Sequence, residues 1–136
     1  MSDENVDLAT RFHREIFQHG NFSVADELLS SDFRWHGGMG QGTKTSGPES
    51  VKQIASAISN AFPDREITHL ETIALGDKVI IRWSMTGTHK GSLLGIPPSN
   101  NLITVTGLDS FRIADGKIVE LSQEMDQLDL IRQLRG

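Results

Sequence analysis

Residues 104–125 constrain the fold of this chain more than any other stretch. Thr104–Phe111 and Lys117–Met125 read as two strands closed by the loop Ala114-Asp115-Gly116. Side chains alternate between the faces of a strand, so Val105, Gly107, Asp109, Phe111 and Ile113 share one face, and Val119, Leu121, Gln123 and Met125 share one face of the next. A three-residue loop with its final Gly in a left-handed conformation keeps both sets on one side of the sheet. That register sets Asp109 nearly opposite Leu121 and diagonal to Gln123. An apolar face carrying one acid and one amide is therefore expected. Burial disfavours the charged form of a carboxyl, which is how a protein prepares a general base or a neutral acid donor. At a wetted sheet end the same Asp would be inert.

The rest of the composition narrows the setting. A chain of 136 residues is long enough for one domain, residues 1–136, with a core that needs no covalent staples. Its net charge is −5, and its basic residues are scattered singly apart from Arg132 and Arg135 near the end, a distribution that argues against a nucleic-acid partner. Cysteine is absent, which excludes disulfides, thiolate catalysis and Cys-ligated metals. The opening Met1-Ser2-Asp3-Glu4-Asn5 is acidic and polar where a signal peptide is basic and then apolar, and no apolar run reaches the length of a membrane span. A cytoplasmic protein with no membrane partner is expected.

Periodicity orders the elements. Val6, Ala9, Phe12, Ile16 and Phe17 fall at helical spacing before Gly20-Asn21. Ser23-Val24-Ala25-Asp26 has capping-box character and opens a short second helix that turns Val24, Leu28 and Leu29 inward. Asp32–His36 reads as a short strand, and the Gly-rich segment 37–47 as a rim loop or lid. Pro48 suits the first turn of a third helix, with Val51, Ile54, Ala55, Ile58 and Phe62 inward. Arg65–Leu75 and Lys78–His89 form a hairpin about Gly76-Asp77. A long turn through Gly91–Asn101 leads to the strands described above, and Leu128, Ile131 and Leu134 mark a last helix. Helices followed by strands give an α+β domain, with helices packed on one face of a curved, mainly antiparallel sheet.

Several short motifs resemble one family. They are Gly87-Thr88-His89-Lys90-Gly91, Gly95-Ile96-Pro97-Pro98, Asp115-Gly116-Lys117-Ile118-Val119-Glu120 and Gln133-Leu134, joined by Phe62-Pro63-Asp64, Gly76-Asp77-Lys78-Val79 and His36. In this order they resemble the SnoaL-like polyketide cyclases and predicted ester cyclases of the nuclear-transport-factor-2-like superfamily. The resemblance implies a cone-shaped α+β barrel around a deep apolar pocket, usually within a homodimer. It also implies an intramolecular aldol reaction on a hydrophobic carbonyl-bearing substrate, with no cofactor and no metal. Such chemistry needs an acid/base group, donors for a developing oxyanion and walls that fold the substrate. The last strand of those cyclases usually carries His-Trp-Asp, where this chain has Leu121, Ser122 and Gln123. Glutamine exchanges no proton near neutral pH, and the facing position, often His in those cyclases, is Asp109 here.

The candidate catalytic residues are therefore Asp109 as acid/base group, Gln123 as oxyanion donor, and His36 or His89 as a second donor. As structural residues, His36 would bond a loop backbone and His89 would pin the Gly91–Asn101 loop. Trp35, Trp83, Met85, Phe111, Leu121 and Met125 are the expected pocket walls. The five histidines, His13, His19, His36, His69 and His89, show no ligand spacing such as i, i+4, so no metal site is expected. A phosphate site is not expected either, because Gly37-Gly38-Met39-Gly40-Gln41-Gly42 has no Lys-Ser/Thr after it. Two other function classes stay open: a non-catalytic protein that sequesters an apolar ligand, and an accessory component of a biosynthetic hydroxylation.

Overall fold

In the computed structural model, which describes residues 2–40 and 46–136, the N-terminal amphipathic run begins as helix α1 (Ser2–Arg11) and continues as a π-helical segment (Phe12–Gln18). Phe12, His13, Ile16 and Phe17 are its buried residues. The apolar stripe read from the sequence is therefore interrupted by a histidine that also points inward. Helix α2 (Val24–Leu28) follows, without the side-chain cap expected of Ser23. The chain then enters β1 (Leu29–Gly37), which is longer at its start than the strand read over 32–36. A short 3₁₀ turn occupies Gly38–Gly40. Residues 41–45 of the loop expected over 37–47 lie outside the described residues.

Helix α3 (Pro48–Ala61) buries Val51, Ile54, Ala55 and Ile58 as its spacing requires, with Pro48 in the first turn. Strands β2 (Glu66–Leu75), β3 (Lys78–Thr88), β4 (Leu102–Ala114) and β5 (Lys117–Met125) precede helix α4 (Gln127–Arg135). The sheet runs β1-β5-β4-β3-β2. All neighbouring pairs are antiparallel except β1 with β5, which is parallel. The helices close one face of this sheet, giving the α+β barrel expected. Its core joins Phe12 and Ile16 to Phe33, Ile58, Phe62, Ile81, Phe111 and Leu121 in a single cluster.

The last hairpin departs from the register read in the sequence. The chain reverses through Asp115 and Gly116 alone, at φ of 52° and 73°, the type I′ geometry that Asp-Gly favours. Ala114 pairs with Lys117 and Ile113 with Ile118; the register then shifts, and Arg112 pairs with Glu120. Val119 is the extra residue of a bulge. Ile118 consequently takes the buried place expected of Val119. The bulge also restores parity: Phe111 now faces Leu121, and Asp109 lies directly opposite Gln123 rather than diagonal to it.

A second bulge, at Leu70 between the pairs His69–Trp83 and Glu71–Arg82, sets the inward residues of β2. Before it, Ile67 and His69 share the enclosed face with Met85 and Trp83; after it, Thr72 and Ala74 do. Gly107, opposite Trp83, makes room for that ring. A Cβ at Gly107 would stand 2.3 Å from the indole.

Candidate active site: a buried carboxylate on the enclosed face

Trp35 from β1, Trp83 and Met85 from β3, Val105 and Asp109 from β4, and Gln123 and Met125 from β5 face a cavity closed by Phe12, His13 and Phe17 of the π segment. Ile54 and Ile58 of α3 and Leu130 of α4 complete the wall. The cavity is small, about 60 Å³, and its lining is almost entirely apolar. Of the walls expected, Trp35, Trp83, Met85 and Met125 line this space. Phe111 and Leu121 are fully buried behind it, where Phe111 packs against Phe12 and the His13 ring at centroid distances of 5.1 and 5.7 Å.

Asp109 is the acid in this lining, 1% exposed. Gln123 Nε2 donates to its Oδ1 at 2.9 Å. His13 Nε2 lies 2.7 Å from its Oδ2, and a carboxylate accepts there, so that nitrogen carries the proton. Two donors thus replace part of the hydration the carboxylate loses. Gln123 is fixed in turn, because its Oε1 accepts from the Met39 backbone N–H at 2.9 Å. Gly38, at φ 51°, makes this close approach possible, since a Cβ there would stand 2.2 Å from Gln123 Oε1.

The opposite edge of the His13 ring is also engaged. Its Nδ1 lies 2.7 Å from Nε2 of His69, on the inward half of β2. Burial foremost, then the neighbouring His13 and Arg14, lowers the pKa of His69 from 6.5 to about 4. His69 is therefore neutral at physiological pH. Asp109 and His69 sit on opposite nitrogens of one ring, so the three form a line and do not converge as ligands around a point.

The other two candidate histidines are placed elsewhere. Adjacent strand residues point to opposite faces; Trp35 takes the inward direction, so His36 faces out. There its Nε2 meets Glu120 Oε2 at 2.9 Å, while Arg112 Nε donates to Glu120 Oε1 at 2.7 Å. Arg112 first, and His36 second, hold the Glu120 carboxyl below its usual range. His89 is fully buried but lies behind the cavity wall, its ring near Phe62. Its backbone N–H donates to Asn101 O and its carbonyl accepts from Asn100 N–H, both at 2.9 Å, and its Nδ1 accepts from the Ser99 N–H at 3.2 Å. It anchors the 91–101 loop.

The site thus unites Asp109 and Gln123, excludes His36 and His89, and adds His13 and His69. The signal for His13 was present in the sequence: it sits between Phe12 and Ile16 on an apolar helical face. His69 gave a parallel signal, alternating with Ile67 on a strand. Nothing in the chain linked two residues 56 positions apart.

With this geometry in place, comparison with known proteins is specific. The sequence model of SnoaL-like polyketide cyclases matches residues 7–134. The chain belongs to the SnoaL-like polyketide cyclase family. This SnoaL-like chain is 26% identical over 132 residues to the aklanonic acid methyl ester cyclase DauD of Streptomyces sp. (strain C5), covering 95% of its own length and 80% of the relative. It is equally similar, at 26% over 132 residues, to the aklanonic acid methyl ester cyclase DnrD of Streptomyces peucetius, 89% of which is covered. Among solved structures, TsrD from Streptomyces laurentii superposes with a TM-score of 0.88 at 26% identity, covering 98% of this chain and 96% of that one.

Proposed function

We propose that this SnoaL-like protein closes a ring in a hydrophobic, carbonyl-bearing substrate by acid/base chemistry without a cofactor, and that Asp109 moves the proton. The observation that carries this reading is the position of Asp109: a carboxylate 1% exposed, in the wall of a mostly apolar cavity and held by two donors. In a dry site a carboxylate is a stronger base toward carbon than in water, because it has no hydration shell to shed. Asp109 takes a proton from carbon next to a carbonyl, and the resulting enolate carbon attacks a second carbonyl. A carbon–carbon bond forms, the attacked oxygen becomes an alkoxide, and one proton returned to it closes the balance.

Donors for the developing negative charge are at hand. One N–H of the Gln123 amide is committed to Asp109, and the amide carries a second. The indole nitrogens of Trp35 and Trp83, both cavity-wall residues, are buried without a hydrogen-bond partner among the described residues. Buried polar groups are normally satisfied, and carbonyl oxygens of a bound ligand would satisfy these. The aklanonic acid methyl ester accepted by the two named relatives is a suitable first substrate. Incubation of the purified protein with this ester, followed by chromatography, is expected to yield a cyclised isomer of unchanged mass.

A second reading has one observation in its favour: Gln123 stands where the cyclases resembled here usually carry their acid. Tight retention of the ester with no conversion, by this protein and under conditions where DnrD converts it, would favour a binding protein over an enzyme.

A further inference from the structure

The hydrogen-bonded line from Asp109 does not stop inside the core. His13 borders two spaces at once: the cavity, and a solvent-open cleft between the π segment and β2 that Arg14, Gln18, His19, Ile67, Thr68 and His69 line. Oδ2 of Asp109 is 2.7 Å from His13 Nε2, and His13 Nδ1 is 2.7 Å from His69 Nε2. His13 is 5% exposed, whereas His69 is part-exposed in the cleft. We propose that His13 and His69 form a proton conduit, through which the carboxyl of Asp109 exchanges protons with the outer cleft rather than with the cavity. The proposal rests on the reading of Asp109 as the acid/base group.

The proton count closes over the line. At rest Asp109 is a carboxylate, His13 holds one proton on Nε2, and His69 holds one on the Nε2 that faces His13. Nitrogens 2.7 Å apart share a single proton between them, which leaves Nδ1 of His69 bare. A proton taken up from the cleft at this Nδ1 is matched by two transfers. The Nε2 proton of His69 passes to Nδ1 of His13, and the Nε2 proton of His13 passes to Oδ2 of Asp109. Each ring keeps one proton, now on the opposite nitrogen, and Asp109 becomes a neutral acid. The same transfers in reverse restore the carboxylate.

Such a route matters because an apolar ligand filling the cavity would bar water from Asp109. In ring closure a proton leaves carbon and a proton arrives on oxygen at two different points. A carboxyl recharged from its far side need not carry the same proton to both. The geometry is held from outside the line as well. Gln18 Nε2 donates to Arg65 O at 2.7 Å, and Gln18 Oε1 accepts from the Ile67 N–H at 2.6 Å. These bonds tie the end of the π segment to the start of β2, two residues before His69.

The test needs no substrate. In protein carrying ¹⁵N-labelled histidine, the exchange of the His13 Nε2 proton with deuterium oxide is followed by NMR, for wild type and for His69→Gln and His69→Phe. Glutamine can still donate to His13 Nδ1 but has no second ring nitrogen to accept a proton; phenylalanine removes the contact. The conduit predicts exchange at least tenfold slower in both variants. Loosened packing alone would make exchange faster, so slowing separates a relay from a structural role. Exchange as fast as wild type, or faster, in a folded His69→Gln protein overturns the proposal. That result leaves the role of Asp109 standing, since the latter is judged by turnover.

Discussion

At the scale of single residues, His69 sets an acid limit on the fold. Its pKa is lowered from 6.5 to about 4, mainly by burial and then by His13 and Arg14, with Asp109 acting in the opposite direction. The unfolded chain therefore takes up a proton at this histidine near pH 6.5, while the folded chain declines it until about pH 4. More protons bound by the unfolded state means that stability falls as pH falls through this window, and that His69 adds no further loss below it. Thermal melts in steps from pH 7 to pH 4 are expected to show this decline, and His69→Gln is expected to make it shallower. An unchanged slope would show that His69 titrates alike in both states. The carboxyls of Glu15 and Glu120 are held below their usual range by Arg11 and Arg112, so their losses come at lower pH and do not mimic this one. Asp109 was legible from sequence because it breaks an apolar alternation. His13 breaks one too, but its role depends on partners that only the folded chain supplies.

Among the elements, the join between the π segment and β2 carries the site. Gln18 satisfies the Arg65 carbonyl and the Ile67 N–H, while Arg65 donates to the carbonyls of Phe17 and Gln18. π-helical turns are uncommon and recur at functional sites; here the turn ends with its carbonyls caught by Arg65, the residue just before β2. Gln18→Leu keeps the volume but leaves a backbone donor and acceptor without these partners, so urea unfolding is expected to show a loss of roughly 1–3 kcal/mol. A loss within experimental error would mean that water takes over both bonds. The same scale shows why element order was readable and register was not. Helical and strand periods survive in sequence as repeated apolar spacing. The bulges at Leu70 and Val119 each add a residue that no spacing rule marks, and each reverses parity. The bulge at Val119 brings Gln123 opposite Asp109, and the one at Leu70 lets His69 face inward on a strand whose far half inverts. The resemblance gave His36 to the site beside Trp35 as an expected wall, although neighbours on a strand cannot share a face.

For the whole molecule, a sheet covered by helices on one face leaves the other face to be accounted for. Ile73 pairs with Ile80 across β2 and β3 on the outer side, and Ile73 and Leu108 are 49% and 42% exposed. With the family resemblance, this supports a homodimer through the outer face. Light scattering at micromolar concentration is expected to give twice the chain mass, and a monomeric mass would remove the expectation. Among the described residues no helix is long and apolar enough to cross a membrane. The enclosed face carries the central claim, that Asp109 is the proton-moving group of a ring-closing enzyme. The most direct test is turnover of aklanonic acid methyl ester by wild type and by Asp109→Asn, a change that keeps the shape and an acceptor for His13 but removes the base. The account predicts a rate lower by about 10²–10⁴ with the fold intact. An Asp109→Asn protein that converts the ester as fast as wild type would contradict it.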